Sequence, residues 1–169
     1  MRNLLLELTD GTIKWKIYSG ENILDRFSVN DWKRIASDIS SHDEWVEFVA
    51  KYPEIVKCYV LEECATSSEI AFVYLYREDS NSVSIHGGGW KNPILYYRGY
   101  VLILRCLLEK NIKVRTSCRL SNPAAIRFSR SVGFVPYRYT DTQVFMWISL
   151  KRLQCTKLYR RFYGTPLNG

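Results

Sequence analysis

The segment from Ser82 to Phe134 constrains the fold more than any other part of the chain, because its hydrophobic period alternates between that of a strand and that of a helix. In SVSIHGGGW, Val83 and Ile85 alternate with Ser82 and Ser84, the period of two expected of a strand. In KNPILYYRGYVLILRCLLEKN, Tyr97, Val101, Leu104 and Leu108 recur at helical spacing. Leu102, Ile103 and Leu107 widen that apolar face until most of the helix needs cover, as a crossover helix lying on a sheet would have. Ile112 and Val114 begin a second short strand. A last helix is predicted in SNPAAIRFSRSVGF. Ser121 and Asn122 are its capping candidates, and Pro123 sits in the first turn, where a missing N–H costs nothing. Ala125, Phe128 and Val132 share one face, and Gly133 suits the position just past the end. Strand, helix and strand in this order predict two parallel strands joined by a right-handed crossover.

The flanking segments read as follows. Residues 3 to 18 are predicted to form a hairpin, with Asp10-Gly11 as a tight type I′ turn and Ile13, Trp15 and Ile17 alternating against Lys14 and Lys16. A further short strand fits Asn22 to Phe27. Asn30 to Tyr52 reads as helical, with Trp32, Ile35 and Ile39 on one face, a fresh start at Ser41-His42-Asp43-Glu44 and a stop at Pro53. Val56 to Glu62 and Glu69 to Tyr76 read as antiparallel strands, and Phe134 to Tyr139 with Gln143 to Leu150 as a hairpin about Asp141-Thr142.

At 169 residues the chain fits one domain with a core that needs no staple. Its five cysteines form no CxxC pair, and with only His42 and His86 beside them no structural zinc set is expected. Buried thiols in a reducing cytoplasm are the plain reading, and no membrane-spanning apolar run of about 20 residues is expected. The net charge of +7 is uneven. Lys151, Arg152, Lys157, Arg160 and Arg161 face no acid after residue 150, which leaves 19 basic against 17 acidic groups elsewhere.

The stretch NPAAIRFSRSVGF, Asn122 to Phe134, resembles the final helix of the GCN5-related N-acetyltransferases (GNAT), with Asn at its head, small residues one turn in and a terminal Gly-Phe. The strands before it and the hairpin after it follow the same order. The resemblance covers residues 55 to 150 and is nearest to the branch that modifies protein N-termini. It implies a layered α/β fold: a mixed, mostly antiparallel sheet with one splayed parallel pair and helices on both faces. It also implies one domain over residues 1–150, with the acceptor-side helices in 1–54, the acyl-CoA core in 55–150, and a basic tail at 151–169.

The implied activity is transfer of an acetyl or other acyl group from acetyl-CoA to an amine, on a small molecule or a protein N-terminus, by direct attack and without a metal. The family's coenzyme loop holds the pyrophosphate on backbone N–H groups at a helix N-terminus. Aligned on its end, only Arg98-Gly99 survives here, with Tyr100 beside it and Tyr97 and Ile94 in place of expected residues. Asn92-Pro93 is a rival helix start that would leave Gly99 inside the helix. Asn122 is implied to bond the pantetheine arm, or else caps its helix. Arg127 joins Arg98, Arg119 and Arg130 as phosphate-pairing candidates or as a solvated face.

For the chemistry, the resemblance puts the oxyanion donor on the backbone between Ile85 and Gly88, including Gly87, where glycines 87 to 89 either permit close approach or form a turn. His86 is the base candidate, or a strand-end histidine bonded to its surroundings. Glu62 and Glu63 are weaker candidates. The family's acid, a tyrosine seven residues after the Asn, falls on Ser129, and serine is a poor acid. Trp45 and Phe48 either line the acceptor pocket or pack the core. Two other readings stand beside catalysis: a degenerate fold that only binds, and a basic module in which the tail meets nucleic acid or acidic surfaces without a recognisable nucleic-acid motif.

Overall fold

The computed structural model describes residues 7–17, 56–89 and 91–164, together with Glu47 and Lys51. The expected strand at 22–27 and the acceptor-side helices with Trp45 and Phe48 lie outside the described residues, although Glu47 and Lys51 are helical. Eight strands form one sheet in the order β1-β2-β3-β4-β5-β6-β8-β7. They are β1 Glu7–Thr9, β2 Ile13–Ile17, β3 Val56–Glu63, β4 Glu69–Asp79, β5 Ser82–Gly89, β6 Lys113–Arg119, β7 Val135–Tyr139 and β8 Gln143–Ile148. Every neighbouring pair is antiparallel except β5 and β6. The helices among the described residues are α1 Pro93–Glu109, α2 Pro123–Ser131, α3 Leu150–Cys155 and α4 Lys157–Tyr163.

The alternation read from the sequence decides which face is covered. Ile13, Trp15, Leu61, Val73, Leu75, Val83, Ile85, Val114, Val144, Met146 and Ile148 share one buried face. Val101, Ile103, Leu104 and Leu107 of α1 fill the same cluster, as do Leu153 of α3 and Tyr159 of α4. Phe128 of α2 inserts between Tyr96, Tyr97 and Tyr100 of α1, stacked on Tyr96 at 5.1 Å and edge-on to Tyr100 at 4.9 Å. On the opposite face Val60, Phe72 and Tyr74 are also buried.

Two expectations need correction. The turn falls one residue later than Asp10-Gly11: Thr9 pairs with Lys14 and the Asp10 N–H donates to the Ile13 carbonyl at 3.2 Å, leaving Gly11 and Thr12 at the tip. The cause is the Asp10 side chain, whose carboxylate accepts from the N–H groups of Thr12 at 2.9 Å and Ile13 at 3.2 Å and so places Asp10 before the tip of the turn instead of within it. The second correction concerns β5, expected to end at His86. It runs on to Gly89 in unbroken register with β4, because glycines fit where a side chain would not: a Cβ on Gly87 would collide with the Phe72 carbonyl and the Val73 side chain.

The segment read as a basic tail is, through Tyr163, two short helices packed on α1. Its last turn closes a part-buried network. Asp10 Oδ2 accepts from Arg98 Nε at 2.6 Å and from the Tyr163 hydroxyl at 2.8 Å, tying the first hairpin, α1 and α4 together. Burial works to raise the Asp10 carboxyl, and the hydrogen bonds from Arg98, Thr12, Tyr163 and Ile13 outweigh it and hold it below the usual 3.8. A group so lowered stabilises the fold above its unfolded pKa, and that stability is lost as pH falls through the lower folded value. Asp10→Ala is expected to cost about 3 kcal/mol in denaturant unfolding, because it leaves Arg98 without its partner, and to flatten the loss of melting temperature below about pH 4. An unchanged midpoint and acid limb would count against the network.

Candidate active site

β5 and β6 are hydrogen-bonded neighbours for only three residue pairs, Ser82 with Lys113, Val83 with Val114 and Ser84 with Arg115. Beyond that point β5 stays with β4 to Gly89 while β6 stays with β8 to Arg119, so the two strands part. At the fork the Thr116 hydroxyl donates to the Ile85 carbonyl at 2.8 Å, which shows that Ile85 turns its backbone toward β6. Backbone groups of alternate residues on a strand point to alternate sides. The N–H and C=O of Gly87 therefore face the gap, where no β6 partner remains, and Ile85 stands at its closed end.

The gap is bordered by helix starts. α1 begins at Pro93, not at a loop around residue 99, with Asn92 at its cap: Asn92 Oδ1 accepts from Leu95 N–H at 3.3 Å and the cap residue adopts φ +42°. Of the two starts open in the sequence, this is the one with Gly99 inside the helix. Gly99 is buried because Leu61 lies where its side chain would be, 2.5 Å from an added Cβ, and its carbonyl accepts from Trp15 Nε1 at 2.7 Å. Arg98 is held by Asp10, and Tyr100, 3% exposed, packs on Phe128. None of these three sits in a phosphate-binding turn. Lys91, exposed, stands just before the cap of α1, and its backbone N–H donates to the Ile70 carbonyl at 3.2 Å. The signal that marks it in the sequence is the Asn92-Pro93 pair.

Asn122 caps α2, accepting from Ala125 N–H at 3.1 Å. Arg127 is exposed on that helix. Ser129 is buried, with its Oγ 3.6 Å from the Cys118 sulfur, so it points at the sheet under α2. Glu62 is paired with both Lys14 at 3.2 Å and Lys16 at 2.9 Å, which accounts for it as a structural acid.

His86 lies on β5 beside Gly87, with its ring stacked on Tyr74 at 5.1 Å and its Nε2 2.8 Å from Ser84 Oγ. Part of the residue is exposed, yet burial of the ring pushes its pKa down to about 4. It is thus neutral at pH 7, able to accept a proton and weakly basic. The linkage runs one way: an unfolded histidine near 6.5 takes up a proton that the folded one refuses, so stability is complete above 6.5 and falls toward pH 4. A melting series from pH 7 to 4 is expected to show this decline, and His86→Gln to remove that part of it. An identical series for the two proteins would contradict the burial of the ring.

No protein-family model matches the sequence and no curated protein matches it. Solved structures do. An apo FdhC, titled a nucleotide-linked sugar GNAT, superposes with a TM-score of 0.70 at 13% identity over 93% of this chain and 97% of its own. The chain has the GNAT fold. The Campylobacter jejuni N-acetyltransferase PseH in complex with acetyl coenzyme A gives a TM-score of 0.58 at 12% identity over 82% of this chain and 99% of its own. A chimera of Vibrio cholerae spermidine N-acetyltransferase SpeG and hSSAT gives 0.56 at 14% identity, covering 85% and 99%. These likenesses establish the mixed sheet with its single parallel pair as the GNAT architecture, and they carry no information on the N-terminus-modifying branch.

Proposed function

We propose that the protein is an acetyl-CoA-dependent N-acyltransferase whose coenzyme lies in the gap between β5 and β6. The observation that carries this reading is that the β5–β6 ladder ends before Gly87, so among the described strands its N–H and C=O have no partner on the side of β6. A pantetheine arm is itself a chain of amides, and it completes a strand edge that the protein leaves open. The FdhC, PseH and SpeG likenesses support the same reading, since each is titled a GNAT or an N-acetyltransferase.

In this scheme the acceptor amine attacks the thioester carbonyl, the Gly87 N–H stabilises the developing oxyanion, and the intermediate collapses with release of the coenzyme A thiolate. His86, neutral and one residue away, takes the ammonium proton directly or through water. Solvent returns a proton to the thiolate, because Ser129 is buried against Cys118. The pyrophosphate rests on the first turn of α1 with Lys91, in place of the role the sequence reading gave to Arg98, Gly99 and Tyr100. The acceptor is an amine on a small molecule or a peptide N-terminus.

A second reading, a GNAT fold that binds coenzyme without turnover, is favoured by Ser129 standing where the resemblance expects a tyrosine acid. Thiol release from acetyl-CoA in the presence of spermidine, an amino-sugar nucleotide and a short peptide separates the two. Turnover with at least one amine is expected, with kcat about 100-fold lower in His86→Ala at unchanged coenzyme affinity. Saturable coenzyme binding without turnover establishes the binding-only reading, and absence of coenzyme binding defeats both.

A further inference from the structure

Away from the gap, the face of the last three strands that no described helix covers carries a row of arginines and aromatic rings. Arg138 lies over the Phe145 ring at 4.0 Å, Phe145 meets Tyr137 at 6.5 Å, and Arg115 lies over Tyr137 at 5.9 Å. Arg115 is the cross-strand partner of Trp147, and Arg152 reaches from α3 to that indole at 5.8 Å. The row thus runs Arg138, Phe145, Tyr137, Arg115, Trp147, Arg152, linked by ring contacts except at Arg115 and Trp147, which are cross-strand neighbours. Its members are accessible: Tyr137 is 49% and Trp147 40% exposed, and the Arg115 side chain 42%. Arg138 and Arg152 are exposed as well. Core packing does not account for the rings, because Val144, Met146 and Ile148 fill the core from the other side of the same strand. Among the described residues, Glu78 is an acid that meets the row, 3.1 Å from Arg115 and itself partly exposed.

We propose that this face is a docking surface for single-stranded nucleic acid, independent of the acyl-transfer reading. Flat rings and guanidinium planes offer stacking surfaces to unpaired bases, and the arginine N–H groups offer phosphate donors at the spacing of neighbouring strands. Three strands span about 10 Å, room for two or three nucleotides. Arg130 and Lys151, both exposed and lining a shared pocket with Arg152, extend the positive surface beyond the row. The net charge of +7 favours a polyanion over a second copy of this chain, whose like charge would oppose association. A duplex fits less well, since its bases are already stacked and a flat sheet face reaches no groove.

The test is fluorescence anisotropy of the full chain with a labelled oligo-uridine of roughly 15 nucleotides, and with a duplex RNA of equal length, at about 50 and 150 mM salt. Single-strand binding is expected to be at least about tenfold tighter than duplex binding and to weaken with salt. Trp147→Ala and Tyr137→Ala are each expected to weaken it roughly tenfold, Trp147→Phe to restore most of it, and all three to keep the wild-type circular dichroism and melting temperature. Arg138→Gln, at an exposed position, gives a variant whose folding is not in question and is expected to flatten the salt dependence. Equal affinity for single strand and duplex, no effect of the ring removals, equal displacement by polyglutamate, or no binding at the lower salt would each overturn the proposal.

Discussion

Helix α1 and the groups buried against it set the geometry of the remainder. It is in contact with β1, β2, β3, β4, β6, α3 and α4. Three polar or steric locks fix its position along the sheet: Trp15 Nε1 on the Gly99 carbonyl, Leu61 in the space left by the absent Gly99 side chain, and Arg98 on Asp10. Apolar burial alone would tolerate sliding by a fraction of a turn, because it is non-directional. The buried hydrogen bonds do not, since each would leave an unsatisfied group. The first hairpin and the last helix, separated by most of the chain, are therefore both clamped to the same helix.

Fixing α1 fixes the gap. β5 leads into α1 and β6 leads into α2, so the two strands must diverge if the helices are to stand side by side with Phe128 between Tyr96, Tyr97 and Tyr100. The aromatic cluster acts as a wedge. At the fork the ladder is replaced by one side-chain bond from Thr116, and beyond it Gly87, still paired with β4, has no described strand on the side of β6. The glycines at 87 and 89 serve the close approach of β4 and of Tyr96 on either side, so the open edge and its tight flanks are parts of one arrangement.

Much of this was legible in the sequence, and the reasons differ from element to element. The period switch in 82–134 gave β5, α1, β6 and α2 because burial on one face leaves a direct imprint on residue order. The cap at Asn122 and the end at Gly133, which has φ +108°, follow from local backbone chemistry. The site was less legible. Reading Arg98-Gly99 as a phosphate turn placed weight on a pattern, whereas the Asn92-Pro93 pair carried the physical signal for the helix start. The low basicity of His86 and the burial of Ser129 depend on neighbours distant in the chain, Tyr74 and Cys118, which no local pattern names. The Arg98–Asp10–Tyr163 network is of the same kind, joining residues at both ends of the sequence.

The central claim is that the open edge of β5 at the fork is where the coenzyme binds. Amide hydrogen exchange with and without acetyl-CoA measures it directly. Slowed exchange confined to residues 85–89 and to the first turn of α1 is the expected result. Saturable binding with protection elsewhere, or with the amides of 85–89 unchanged, would contradict the account.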